Sequence, residues 1–352
     1  MSTLAQGVWV DEIESVPKLI VAGPVASVEH ELDGHPERPS RVGAAAAGID
    51  DLMLETDRVE VDRRLATFDE LATVHDVAYL QELETFCSAG GGKLDPDTYA
   101  GRDSWSAARE AAGAGLAAID ALASGHGDAA FVVARPPGHH ALADRAMGFC
   151  LINNVAVAAA ALADQGERVI IVDWDVHHGN GTQALFWNDD RVCYVSTHQD
   201  RFYPGTGAFD ETGGPGAPGL TVNVPLPAGA TGDVLARALE EIVAPVSERF
   251  APTWVLVSAG FDAHRDDPLA DLALSAGDFA HLASIVRGFA PRAGRLAFFL
   301  EGGYDLGALR SSVAATAGAI VGAAPPAEGR TSGGPGAEAV ARARAVHADL
   351  VG

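Results

Sequence analysis

Apolar and polar positions along this chain come in blocks. Short, unbroken apolar runs occur in FVVAR (131–135), VIIV (169–172), VCYVS (192–196), TWVLVSAGFD (253–262) and RLAFFLEGGY (295–304). A run of this kind is what a strand buried on both faces of a parallel sheet requires. Between the runs, apolar residues at helical spacing predict helices over 42–53, 68–87, 104–123, 154–163, 182–187, 235–250, 278–289 and 306–321. GGGKLDPDTY (90–99) reads as a loop, and 204–227, rich in Gly and Pro, as a long surface excursion. Residues 1–34 give no clear assignment. Strands alternating with helices predict an α/β fold, a single catalytic domain over 1–321 with one mostly parallel central sheet and helices on both faces. A Pro/Gly-rich linker is expected at 322–336 and a C-terminal helix packed outside at 337–352.

Ligands of such folds sit beyond the carboxyl ends of the strands. Four stretches put polar residues there: PPGHH, DWDVHH, AGFD and EGGY. The second is the most informative. Read as extended chain, it places Asp173, Asp175 and His177 on one side, because residues two apart point the same way. A strand end running into solvent fits poorly, since Trp174 and Val176 keep the chain apolar between the acids. Buried carboxylates need a metal, another cation or a dense hydrogen-bond shell. Asp175 with His177 is half of a zinc site, since zinc accepts both carboxylate oxygen and imidazole nitrogen.

The chain of 352 residues is 48% hydrophobic and 20% charged, enough for a large core. Lys and Arg total 24 against 48 Asp and Glu, a formal charge of −24. That balance argues against nucleic-acid or anionic-membrane partners and suits a cationic substrate or product. Three scattered cysteines make no disulfide framework and fit a reducing compartment. No signal peptide or membrane-length apolar run is evident, so a cytoplasmic protein is expected. Whether it forms a homo-oligomer stays open.

RPPGHH, MGFCLINN, VDWDVHHGNGTQ, YPGTG, SAGFDAHRDDPL and EGGY, in this order, resemble the histone deacetylase family, including the acetylpolyamine amidohydrolases. The resemblance covers roughly 35–321. EGGY and Asn180 are similar to the class II branch, here in a bacterial type of chain. The implied fold is the one shared by arginases and deacetylases. The implied metal ligands are Asp175, His177 and Asp262, three donors that leave room for water and a substrate carbonyl. Zinc is the implied metal, and Fe(II) stays open.

By the same resemblance His139 pairs with Asp173 and His140 with Asn180. A carboxylate raises an imidazole's pKa far more than an amide does. His140 is therefore expected to stay neutral longer and act as general base towards the attacking water. His139 is expected to be more cationic; an electrostatic role and leaving-group protonation both stay open. Tyr304 is the implied donor to the developing oxyanion. Structural potassium is implied at Asp173, Asp175, His177, Ser196 and Thr197, largely through backbone oxygens, and a second monovalent ion at Phe186, Asp189 and Val192. Gly148, Phe149 and Tyr203 are the implied tunnel wall, suited to a methylene stem. Leu269 stands where a polyamine-selective branch carries an acidic gatekeeper, which tilts the expectation towards acyl-lysine. Cys150 reads as a small core residue. The expected activity is deacetylation of acyl-lysine or related acylated amines, with an acetylated polyamine as the alternative substrate. A non-catalytic acyl-lysine reader is a further alternative.

Overall fold

The computed structural model describes residues 17–25, 30–52, 57–322 and 328–351. Its strands are β1 (Lys18–Val25), β2 (Asp57–Glu60), β3 (Gly91–Lys93), β4 (Tyr99–Gly101), β5 (Ala129–Ala134), β6 (Val169–Asp173), β7 (Val192–Gln199), β8 (Thr221–Leu226), β9 (Trp254–Ala259) and β10 (Leu296–Leu300). All but β3 and β4 form one eight-stranded sheet, order β2-β1-β5-β10-β9-β6-β7-β8, with every neighbouring pair parallel. The helices are α1 (Ser40–Asp50), α2 (Phe68–Leu71), α3 (Val77–Ser88), α4 (Ser104–Ala123), α5 (Asn154–Asp164), α6 (Asn180–Phe186), α7 (Gly232–Ala238), α8 (Ala244–Phe250), α9 (Ala276–Arg287), α10 (Leu306–Val321), α11 (Ala337–Val346) and α12 (Ala348–Val351).

The apolar runs feed two cores, one on each face of the sheet. In β6, Ile170 and Val172 enter one core and Val169 and Ile171 the other. Helices α3, α4 and α5 close the second core, while α1, α9, α10 and α11 close the first. Both faces being covered explains why the central strands show no polar alternation. The all-parallel single sheet agrees with the expected fold.

Four local expectations change. The predicted helix 68–87 is two helices, because the chain between them docks on the loop at 142–153. There Asp76 N–H donates to Ala143 O (2.8 Å), and His75 bonds Leu142 O (2.8 Å) and accepts from Asn153 N–H (3.0 Å). GGGKLDPDTY contains β3 and leads into β4, a short antiparallel pair. The excursion at 204–227 ends in β8, a fully buried edge strand packed beneath α11. Pro225 masked it, yet a sheet edge tolerates a missing N–H. The helix predicted at 235–250 is interrupted by a π-turn, Leu239–Val243, in which Ala244 N–H reaches back to Leu239 O just before Pro245. Residues 17–25 and 57–60, not assigned in advance, supply β1 and β2.

Residues 328–334, within the expected linker, are bonded to the domain. Glu328 accepts from Ala276 N–H (2.9 Å), Thr331 donates to Asp278 (2.7 Å), and Gly334 N–H donates to Thr231 (2.8 Å). No helix among the described residues is long and apolar enough to cross a membrane.

Candidate active site

From β6 the chain runs outward through β7 and β8, then returns to the other side of β6 as β9. The order reverses there, so the crevice at the carboxyl ends of β6 and β9 is the favoured ligand position. DWDVHH and AGFD both fall in it. The expectation that 173–177 is one extended strand is corrected: ladder pairing of β6 ends at Asp173. Beyond it the turn is shaped by the acids themselves. Asp173 Oδ1 accepts Asp175 N–H (3.1 Å), and Asp175 Oδ1 accepts His177 N–H (2.9 Å).

Asp175, His177 and Asp262 offer ligand atoms that all lie within 4.8 Å of one another. His177 Nδ1 is 3.1 Å from Asp175 Oδ1 and 3.2 Å from Asp262 Oδ2. The other oxygen of each carboxylate is tied to backbone: Asp175 Oδ2 to Gly302 N–H (2.8 Å), Asp262 Oδ1 to Val176 N–H (2.9 Å). One oxygen from each acid and one imidazole nitrogen therefore converge. Both acids are fully buried. Burial first, and then the charge of Asp175, push Asp262 up to about 7. The donor set fits zinc: two hard oxygens and one nitrogen, with room left on the cavity side. Glycine shapes it, since a Cβ at Gly260 would lie 2.0 Å from Asp175 Oδ2, and one at Gly302 2.1 Å from Asp262 Oδ2.

The two histidines of PPGHH lie beside this triad, their rings tilted by 40° with centroids 4.0 Å apart. His139 Nδ1 lies 3.0 Å from Asp173 Oδ2, which also accepts the Tyr194 hydroxyl at 3.0 Å. His140 Nδ1 lies 2.8 Å from Asn180 Oδ1. Burial opposes a cation on both rings. At His139 the Asp175 and Asp173 carboxylates outweigh it and hold the pKa well above the histidine range. At His140 burial is joined by the neighbouring His139 and His177, and the pKa falls well below that range. Both expected pairings are present.

A cavity of about 230 Å³ rises from this floor, lined in part by Gly148, Phe149, Tyr203, Leu269 and Tyr304. The three expected tunnel residues and Leu269 all line it, and Phe149 reaches its place through a left-handed backbone, φ +69°. Tyr304 is buried, with the Arg41 guanidinium 4.8 Å from its ring centroid. Burial raises the Tyr304 pKa well above 10, against the pull of Arg41, so the phenol keeps its proton. Asp173 and Ser196 are register partners on β6 and β7, and Ser196 and Thr197 are buried. Phe186, Asp189 and Val192 share one turn, Asp189 N–H donating to Phe186 O (3.1 Å) and Val192 N–H to Asp189 O (3.3 Å). Cys150 is buried in the core, as expected.

Several residues at the site lie outside the expected set, some of them within the motifs that pointed to it. Asp97, Pro137, Phe202 and Gly302 also line the cavity. Glu301, the acid of EGGY, accepts the N–H groups of Gly138 (2.6 Å) and His139 (3.2 Å), joining the histidine loop to β10. HPERPSR, read as punctuation before a helix, supplies a buried ion cluster. Glu37 bonds Arg135 (2.8 Å) and Arg41 (3.2 Å), and Arg41 Nε donates to Gly303 O (2.7 Å) beside Tyr304.

The histone deacetylase domain matches residues 35–320, and the chain belongs to that family. It is 44% identical over 245 residues to a histone deacetylase-like amidohydrolase of Pseudomonas aeruginosa, covering 68% of this chain and 64% of that protein. It is 40% identical to the chloroplastic histone deacetylase 10 of Oryza sativa subsp. japonica (83% and 71% covered), and 39% identical to a probable deacetylase of Archaeoglobus fulgidus (77% of each). The crystal structure of the HDA15 HD domain superposes with a TM-score of 0.87 at 33% identity, covering 96% of both chains. Deacetylases and an amidohydrolase among its relatives make this a hydrolase fold family, and the single-domain parallel architecture is theirs.

Proposed function

We propose that the protein is a zinc-dependent amide hydrolase that removes acetyl or other acyl groups from acylated amines, with acyl-lysine the favoured substrate class. The observation that carries this reading is the convergence of Asp175, His177 and Asp262 beside two histidines, one paired with a carboxylate and the other with an amide. Zinc held by these three residues would supply Lewis acidity to the scissile carbonyl and the attacking water. His140 donates from Nδ1 to Asn180 Oδ1, which leaves the lone pair of Nε2 to accept the water's proton. His139, kept cationic by Asp173 and Asp175, stabilises negative charge developing beside it. Tyr304, protonated and at the cavity wall, donates its hydroxyl to the oxyanion. Phe149 and Tyr203 enclose the stem of the amine chain.

Structural potassium at Asp173, Asp175, His177, Ser196 and Thr197 belongs to the same reading; the burial of Asp173 beside Ser196 supports it, because buried acids are eased by a bound cation. A second monovalent ion at Phe186, Asp189 and Val192 is part of it too. An acetylated polyamine is the second substrate reading, favoured by the acidic balance of the chain. The test is acetate release from a panel of acetyl-lysine peptides, acetylated polyamines and longer acyl-lysines. Turnover ranked towards acetyl-lysine is expected. No hydrolysis of any panel member by zinc-loaded protein would overturn the enzyme reading in favour of a reader.

A further inference from the structure

We infer that Asp267 is a positioning residue that fixes Tyr304 in the cavity, an inference that rests on reading Tyr304 as the oxyanion donor. Asp267 is 6% exposed, and its carboxylate is spent on backbone donors. Oδ2 accepts the N–H of Tyr304 (2.6 Å) and of Asp305 (3.4 Å), and Oδ1 accepts the N–H of Leu269 (3.0 Å). A carboxylate stripped of water is costly unless hydrogen bonds replace the lost solvent, so a buried acid that accepts three backbone amides marks a built contact. An acceptor on both sides is needed to take all three donors, which an amide side chain cannot provide.

The need for such a contact lies in the residues just before the tyrosine. Gly302 must lack a side chain to clear Asp262, and Gly303 stands at φ +117°. Two successive glycines leave the approach to Tyr304 with little stiffness of its own. Arg41 holds this segment from one side through Gly303 O (2.7 Å). Asp267 holds it from the other, at the tyrosine's own amide, immediately before Asp305 caps α10 through Ala308 N–H (2.8 Å). Its other oxygen fixes Leu269, which lines the same cavity. One carboxylate thus sets the spacing between the tyrosine and a wall residue that flanks the incoming chain.

The experiment is a double-mutant cycle of Asp267→Asn and Tyr304→Phe, read as kcat at saturation with the best substrate of the panel. Melting temperature and bound zinc are measured alongside. Asp267→Asn is near-isosteric and keeps the cycle readable where Asp267→Ala fails to fold. Because a misplacement of about 1 Å can cost on the order of 10²-fold, Asp267→Asn is expected to lower kcat roughly 10- to 100-fold with zinc retained. In the Tyr304→Phe background the same substitution is expected to cost less than about twofold, as residues acting as a unit do not add. An equal fold loss in both backgrounds, or unchanged kcat in Asp267→Asn, would overturn the positioning role alone. Wild-type kcat in Tyr304→Phe would overturn the reading of Tyr304 and this inference with it.

Discussion

Replacing Asn180 by Asp probes the separation of the tandem histidines. The substitution keeps the oxygen 2.8 Å from His140 Nδ1, replaces the amide nitrogen beside it, 3.3 Å from Met147 Sδ, by a second oxygen, and gives this ring the kind of partner that His139 already has. The Asp175 and Asp173 carboxylates hold His139 above the histidine range against burial, while burial and the neighbouring His139 and His177 hold His140 below it. Two unit charges about 4 Å apart interact by about 4 kcal/mol at an effective dielectric near 20. At about 1.4 kcal/mol per unit, that sets a ceiling of about three pKa units. Desolvation of the new carboxylate takes back part of it, leaving about one to two units upward. His139, His177, Asp175 and Tyr203 face the ring and are unchanged.

The sign follows from the role. A general base works in its neutral form, and a raised pKa confines that form to higher pH. The acid limb of the kcat/KM profile should therefore move to higher pH by about one to two units in Asn180→Asp. The assay is deacetylation across pH 5 to 10, on the order of the range where buffers and substrate hold. An unmoved limb would mean that His140 is not the titrating base, and a limb moved to lower pH would refute the electrostatic argument itself.

Two further outcomes are expected. Wild-type protein should carry one zinc per chain by elemental analysis and Asp262→Ala should lose it; a fully active, transition-metal-free wild type would defeat the metal assignment. Gly302→Ala would drive a Cβ to 2.1 Å from Asp262 Oδ2 and 2.7 Å from Asp175 Oδ2, so zinc affinity should fall at least 10-fold, on the order seen when groups supporting metal ligands are disturbed, with overpacking lowering the melting temperature as well. Unchanged zinc affinity would show that the close approach of this backbone to the acids is incidental.

The central strands were legible because each is buried on both faces, so its apolar run is local information. The ligand and histidine motifs were legible for the same reason: each is a short continuous segment, and only their order along the chain needed reading. What stayed hidden depends on partners far away in sequence. Glu37 looks like a solvated acid until Arg135, 98 residues on, closes over it. His75 looks like one more position in a helix until Asn153 N–H, 78 residues away, ends that helix by binding its ring. Asp267 carries no periodicity at all, and its contact with Tyr304 exists only once β9 and β10 lie side by side.

The stretch from Asp173 to His177 shows how a correct assignment can rest on an incomplete cause. Period-two geometry in a strand predicts that the three side chains share a side, but the strand stops at Asp173. What turns Asp175 and His177 towards Asp262 is a relay in which each carboxylate accepts the amide two residues ahead. The relay orients the ligands only because Gly260 leaves the space that Asp175 Oδ2 occupies and Gly302 the space that Asp262 Oδ2 and Asp175 Oδ2 occupy. Two glycines without chemistry of their own are thus as much a condition of the metal site as its three donors. Because each must lie against a particular carboxylate, that condition is a property of the folded crevice between β6, β9 and β10.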